Sequence, residues 1–588
     1  MPLVAETSEQ MAERLTAYWS IMQRTQNLFQ RAAKSTAQKG DSGGFSMTDP
    51  TTALSAFAKV GMDLAMRPAE LMTVQQTAFA KMADLWMSGW TGRKEPVKDR
   101  RFRDDAWNED PFAGICRDVH LALEDATLET LNSFPKGSRE QLRVEFYTRQ
   151  ILSALAPSNF LALNPQARKA LLETEGQSLL DGFNNLIDDL ERGDGRLDIK
   201  TNDDTAFVVG RDLGTTPGKV VYQNDLMQLI QFDPMTETQR KRPILLVPAW
   251  INKYYIMDMR EKNSLVQYLL KRGHSVFIIS WINPGKELAD KDFENYMNEG
   301  PLAALDAIEQ ATGENKINVL GFCIGGILVT ATLAYLAAKC DTRIASATTL
   351  ATMVDFTDVG DIGVFVDEGR LADLREHLAE TGHLEAHQLQ DVFSAIREND
   401  MVWSFHVMNY LMGEKPPAFD LLYWNADSTR LPAAMLLWYL DRIYLRNGLR
   451  KSGELILNDT PIDIAKIKTP CFVLATKEDH IAPWKSVYPT TGLLGGDVTF
   501  VLGGSGHIAG VINPPGEREK YGYWTGEGYP DDPENWLAKA DHHAGSWWPH
   551  WADWLEAQDR AKQVPARVPG AGKLKVIEDA PGTYVLTH

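Results

Sequence analysis

A thiol at Cys323, a carboxylate at Asp479 and an imidazole at His507 each follow a short apolar run, and together they could carry acyl-transfer chemistry. Residues Ile317 to Gly326 read Ile-Asn-Val-Leu-Gly-Phe-Cys-Ile-Gly-Gly, and an apolar, Ala-rich helical pattern continues to about Ala338. This predicts a strand, a sharp turn and a helix. Glycines on both sides of the turn let strand and helix approach, while the residue between them takes a strained backbone conformation. At the amino end of that helix, exposed N–H groups and the helix dipole favour a thiolate at Cys323. The N–H of Ile324 can hydrogen-bond an oxyanion formed on an acyl group. A buried structural cysteine in a tight turn would use the same glycines, so the other two groups carry the decision.

The run Cys471 to Ala475 leads into Thr476-Lys-Glu-Asp-His-Ile-Ala-Pro-Trp484, and Val498 to Leu502 leads into Gly503-Gly-Ser-Gly-His507. Nucleophile, acid and base thus occur in the order Cys323, Asp479, His507, each just after a predicted strand, which is the chain order of the α/β-hydrolase triad. His507 would take the thiol proton and later return one, while Asp479 would fix the imidazole tautomer and stabilise the imidazolium. Glu478 and Asp355 are rival acids, and His480 is a rival base.

The elements that must position these groups are read from the same pattern. Alternating apolar residues between Lys219 and Phe232 predict two short strands joined at Asn224-Asp225. Pro243 to Val247, Ser275 to Trp281 and Ile344 to Leu350 predict further strands, with helices at Ser264 to Arg272 and Leu302 to Ala311 between them. The expected class is α/β: an α/β-hydrolase fold over residues 201–588 with a parallel sheet covered on both faces and a cap insertion at 355–431. Ahead of it, the spacing predicts an amphipathic helix over 1–33, a flexible linker over 34–51 and a helical domain over 52–200.

At 588 residues with 44% hydrophobic and 24% charged residues, the chain is long enough for two or more folded units. A net charge of -19 argues against nucleic acid as a partner. Four cysteines, Cys116, Cys323, Cys340 and Cys471, lack paired spacing, so neither a disulfide framework nor a metal site is expected. The start lacks a basic region before an apolar one, and no run of about 18 apolar residues occurs. The expectation is a cytoplasmic protein without a transmembrane segment.

With these residues in place, the chain resembles the class I polyhydroxyalkanoate synthases. The resemblance is carried by the Cys323, Asp479 and His507 segments and by Asp99 to Trp107, Ser158 to Phe160, Val247 to Ile256, Ser280-Trp281, Asn283-Pro284, Gly506 to Pro515 and Gly545 to Pro549. It covers roughly residues 95 to 588. A departure at Ala249-Trp250 falls on the loop that would supply a second oxyanion donor, leaving that donor open between Trp250 and Ile251. The resemblance implies polymerisation of (R)-3-hydroxyacyl-CoA, with 3-hydroxybutyryl-CoA as the expected unit, into a polyester with release of CoA. It implies no separate cofactor, since the CoA thioester is the substrate. It further implies a homodimer at the surface of polymer granules, with the growing polyester chain as a partner. A cytosolic thiol-dependent ester or lactone hydrolase, and a non-catalytic granule-coating protein, are the alternatives.

Overall fold

Among the described residues, the runs that the sequence marks as strands join three short further strands in one sheet of eleven. In chain order these are β1 (Gly218–Gln223), β2 (Met227–Phe232), β3 (Ile244–Val247), β4 (Val276–Trp281), β5 (Ile317–Phe322) and β6 (Ile344–Leu350). They continue with β7 (Cys471–Thr476), β8 (Val498–Gly503), β9 (Tyr523–Thr525), β10 (Asp541–His543) and β11 (Glu578–Asp579). Across the sheet they stand in the order β10-β9-β8-β7-β6-β5-β3-β4-β2-β1-β11. The structure is a computed structural model that describes residues 97–132, 139–516, 520–559 and 563–587, with the isolated positions Thr16, Ser20, Gln23, Arg24, Gln76 and Ala80.

The sheet is mixed, where the alternation of strands and helices predicts a parallel one. The six strands from β4 to β8 through β3, β5, β6 and β7 are parallel. On one edge β2, β1 and β11, and on the other β9 and β10, run antiparallel. The β1–β2 turn has a local cause: Asn224 Oδ1 accepts from the Leu226 and Met227 N–H groups at 3.0 and 2.9 Å, reversing the chain within three residues.

Strands β3, β4, β5 and β7 are buried at every position, as expected of strands covered on both faces. Leu246, Leu320, Leu350 and Leu474 lie fully inside, each contributing about 2 kcal/mol by removal from water. The helix Ile324–Ala338 is apolar around most of its circumference because it too is covered on nearly every side. In register, Gly321 of β5 lies between Val247 of β3 and Thr349 of β6, and Thr476 of β7 pairs with Gly503 of β8. The segments bearing Cys323, Asp479 and His507 therefore all leave the carboxyl edge of the parallel strands.

The chain divides into two units. One holds the described residues up to Asp203 together with Asp391–Ala418; the other holds Asp204–Gln390 and Phe419–His588. The first is helical: Pro111–Asn132, Arg139–Ala154, Pro165–Glu173 and Gln177–Arg192 are its longer helices. Phe102 and Trp107, from the Asp99 to Trp107 segment, meet edge to face at 4.9 Å and are buried. The predicted helix over 1–33, the linker over 34–51 and the helical stretch to Trp90 lie outside the described residues, apart from the six isolated positions.

The insertion at 355–431 is split between the units, and side-chain chemistry explains why its middle joins the helical one. A Cβ at Gly182 would stand 2.0 Å from the Tyr410 carbonyl oxygen, so the glycine lets the helix Gln177–Arg192 meet the His406–Leu411 turn backbone to backbone. Tyr410 donates to buried Asp189 at 2.6 Å, and Asn185 donates to the Asn409 carbonyl at 2.9 Å. Ser153 donates to Glu398 at 2.8 Å.

Candidate active site

Cys323 caps the helix Ile324–Ala338 with φ 54° and ψ −123°, a left-handed conformation that a non-glycine residue holds only where its surroundings force it. Three glycines supply that force. A Cβ at Gly321 would lie 2.5 Å from the Gly326 Cα, one at Gly325 2.3 Å from the Val247 carbonyl oxygen, and one at Gly326 2.0 Å from Thr352 Oγ1. Strand, turn and helix thus approach more closely than side chains would allow, and the half-buried thiol is held at the tip. Ile324 is the first helical residue, so its N–H has no acceptor within the helix.

His507 is held from two sides. Its Nδ1 lies 2.7 Å from Asp479 Oδ2, and its ring stacks on Phe322, the last residue of β5, with centroids 5.4 Å apart. In the loop that carries His507, Gly504 lies so close to the Tyr521 backbone that a Cβ there would come within 1.8 Å of the Tyr521 carbonyl oxygen. With Nδ1 against a carboxylate, Nδ1 carries the proton and Nε2 is left for Cys323. Burial, the largest single influence, would depress the imidazole, but the charges of Asp479 and Cys323 and the hydrogen bonds to both together outweigh it, so His507 is held well above its ordinary range.

Asp479 is 8% exposed and every bond it makes favours the carboxylate. Its Oδ1 accepts from the Ile481 and Ala482 N–H groups, both at 2.9 Å, and its Oδ2 accepts from Thr476 Oγ1 at 3.0 Å. Burial would raise its pKa, yet the His507 charge and these hydrogen bonds hold it below the usual carboxylate range. Among the rival acids, Asp355 is engaged elsewhere: Oδ1 accepts from Thr357 and Asn447, and Oδ2 lies 3.0 Å from Arg450. Glu478 is exposed, and His480 is half-buried on the same loop.

Trp250 and Ile251 sit on the loop after β3 and are fastened by the insertion. Thr429 Oγ1 donates to the Trp250 carbonyl at 2.9 Å, and the Thr429 N–H donates to the Ile251 carbonyl at 3.1 Å. Further along, Trp424 Nε1 donates to the Lys253 carbonyl at 2.7 Å, and Lys253 Nζ pairs with Asp427 at 3.0 Å. Trp424 is therefore a core residue of this clasp, while Phe419 is exposed.

Two groups that spacing gave no sign of are Tyr439 and Tyr444. Both phenols are raised first by burial; Tyr439 also feels the charge of Tyr444 and then that of Cys323, and Tyr444 that of Cys323. The Tyr439 ring also packs edge-on to Trp250 at 5.9 Å. Their helical spacing is that of ordinary core aromatics, so only the fold reveals that they feel the charge of the thiol. All four cysteines are free, and among the described residues no cluster of His, Cys, Asp and Glu is arranged to hold a metal ion. Among the same residues, no helix is long and apolar enough to cross a membrane.

The sheet order, the elbow and the three converging side chains define an α/β-hydrolase domain with a thiol at the nucleophile position. Residues 242–514 match the model of the alpha/beta hydrolase fold, and residues 98–269 match that of the poly-beta-hydroxybutyrate polymerase (PhaC) N-terminus. The chain is 45% identical over 542 residues to the poly(3-hydroxyalkanoate) polymerase of Methylorubrum extorquens, covering 92% of this chain and 87% of that protein. It is 42% identical over 562 residues to the poly(3-hydroxyalkanoate) polymerase subunit PhaC of Rhizobium meliloti, covering 94% and 91%. To the corresponding subunit of Cupriavidus necator it is 41% identical over 527 residues, covering 88% of each. The chain belongs to the polyhydroxyalkanoate synthase (PhaC) family and is an acyltransferase of the poly(3-hydroxyalkanoate) polymerase kind.

Proposed function

We propose that this enzyme polymerises (R)-3-hydroxyacyl-CoA, with 3-hydroxybutyryl-CoA as its unit, through an acyl thioester on Cys323. The observation that carries this reading is the His507–Asp479 pair at 2.7 Å, stacked on Phe322 and directed at a strained cysteine elbow. His507 Nε2 accepts the Cys323 proton, and the resulting thiolate attacks the thioester carbonyl. Thiolate-for-thiolate exchange is nearly balanced in energy, so CoA leaves readily. The tetrahedral oxyanion is held by the Ile324 N–H, with a second donor from the Trp250-Ile251 loop.

For chain growth a hydroxyl must attack a thioester. A hydroxyl is far less ionised than a thiol, so it depends more heavily on His507 as general base and on Asp479 to hold the imidazolium. Water must be kept from the same carbonyl. The buried Tyr439, the half-buried Tyr444 and the insertion residues 419–431 that clasp the Trp250-Ile251 loop serve that exclusion as parts of a cap.

The product is an apolar polyester, and the enzyme works in the cytoplasm at its granule surface. In support, the helix Pro111–Asn132 exposes Phe112, Ile115, Val119 and Leu123, spaced so as to form one stripe along its length. The homodimer implied by the family engages the exposed Phe419 rather than buried Trp424. Incubation with (R)-3-hydroxybutyryl-CoA tests the reading: insoluble polyester with free CoA is expected, whereas soluble 3-hydroxybutyrate with free CoA would make the enzyme a hydrolase.

A further inference from the structure

A cavity of 430 Å³ opens at the amino ends of the parallel strands, the edge of the sheet opposite Cys323. Its walls come from just before β3, β5 and β7, from the start of β6, and from the carboxyl end of the helix Ile324–Ala338. That helix has fifteen residues, so about 22 Å of rise separates the cavity from the thiol at the helix's other end. Four cationic side chains, Arg242, Lys316, Lys466 and Lys468, surround the space against a single carboxylate, Asp341. That carboxylate is already committed, since Asp341 Oδ2 lies 2.8 Å from Arg343 Nε.

The three lysines are not neutralised locally, whereas Arg242 Nε lies 4.0 Å from Asp559 Oδ1. Lys316 Nζ donates to the carbonyl and hydroxyl of Thr342, and Lys468 Nζ donates to the Gly495 carbonyl. The Lys466 ammonium has no hydrogen-bond or ion-pair partner among the described residues, and none of the three lysines pairs there with a carboxylate. Elsewhere Lys219, Lys253 and Lys291 each pair with an acid, in a chain where Asp and Glu outnumber Lys and Arg by 79 to 60. Convergent unpaired ammonium groups around a concave, partly desolvated space raise the local potential, and an anion entering it relieves their repulsion. One carboxylate would meet one or two of these donors. A phosphate or pyrophosphate offers several strong acceptor oxygens and more than one negative charge, which suits three point-charge lysines and one guanidinium. The volume is that of a small-molecule site.

We propose that this cavity binds a phosphate-bearing anion, either inorganic pyrophosphate or the phosphate end of a nucleotide such as ADP or CoA, at a site separate from Cys323. Cys340 lines the cavity and its thiol is exposed, so its alkylation by iodoacetamide reports occupancy. The full chain is titrated separately with pyrophosphate, ADP and CoA at constant ionic strength, and the Cys340 peptide is followed by mass spectrometry.

The expected result is a saturable, several-fold slowing of Cys340 alkylation that chloride at the same ionic strength does not reproduce. Protection by pyrophosphate identifies the phosphate itself as the ligand group; protection by ADP or CoA alone identifies an organic phosphate. The double variant Lys466→Ala, Lys468→Ala should lose the protection while retaining polymerisation, because both side chains are exposed and remote from the thiol. Unchanged labelling with all three ligands, equal slowing by chloride, or full protection in the double variant overturns the proposal. Cys323 lies on a different peptide, so CoA protection there is scored independently.

Discussion

The imidazole of His507 is fixed on one side by Asp479, 2.7 Å from Nδ1, and on the opposite strand end by the ring of Phe322 at 5.4 Å. Phe322 immediately precedes Cys323, so the residue that ends β5 packs its ring on the imidazole while the next residue presents the thiol. Imidazole and thiol are thereby tied to the same turn of backbone.

Asp479→Asn should separate the two half-reactions. An asparagine keeps the shape but cannot stabilise the imidazolium, and it can present an N–H that selects the wrong tautomer. A thiol needs less help than a hydroxyl, so single-turnover CoA release should fall modestly while polymer growth falls by about 10² to 10⁴. Equal losses in both would assign Asp479 to acylation as well. Asp355→Asn, which disturbs only its contacts to Arg450, Thr357 and Asn447, should leave both steps near wild type.

Much of this site was legible in the sequence because it rests on local rules. Glycines flanking a thiol between an apolar strand and an apolar helix mark a tight elbow, and Asp479 and His507 stand directly after strands whose apolar runs are continuous. The choice of Asp479 over Asp355 depended on which carboxylate faces the imidazole, a long-range fact. Strands β9, β10 and β11, of two or three residues each, are too short to show a period. The joining of Asp391–Ala418 to the helical unit is set by Gly182 and by the Tyr410–Asp189 bond across more than two hundred residues, which no spacing encodes.

Gly325→Ala should destroy the elbow where Cys323→Ala does not. Its methyl would lie 2.3 Å from the Val247 carbonyl, a backbone atom in a central strand that cannot move aside. A loss of about 3 kcal/mol or more, seen as aggregation or a large drop in denaturation midpoint, is expected. A Gly325→Ala protein as stable as wild type would contradict the packing described.

Thr429→Val should loosen the loop that carries Trp250 and Ile251. It removes the donor to the buried Trp250 carbonyl but keeps the shape and the backbone bond to Ile251. The unsatisfied carbonyl costs about 1 to 3 kcal/mol, and acylation should slow by about tenfold with KM little changed if that loop supplies an oxyanion donor. Unaltered acylation would move the second donor elsewhere.

His274 predicts an acid sensitivity. It is buried, neither ring nitrogen has a partner among the described residues, and burial first, then Arg240 and Arg272, push its pKa down to about 3. The unfolded chain takes up this proton near pH ~6.5, so between about 6.5 and 3 the unfolded state binds one more proton than the fold. The stability this neutral side chain contributes is present above that window and is lost as pH falls through it, by about 1.4 kcal/mol per pH unit. His274→Leu should flatten the dependence of the urea midpoint on pH between 7 and 4.5, whereas parallel curves would sink the assignment.

The central claim is that Cys323 carries the acyl group. The direct measurement is single-turnover reaction of the full chain with labelled (R)-3-hydroxybutyryl-CoA, quenched in acid and read by peptide mass spectrometry alongside Cys323→Ala. The account predicts one equivalent of CoA released, with a 3-hydroxybutyryl group on the peptide bearing Cys323, and neither event in a folded Cys323→Ala protein. Label on another residue, or CoA release at the wild-type rate by the variant, would contradict it.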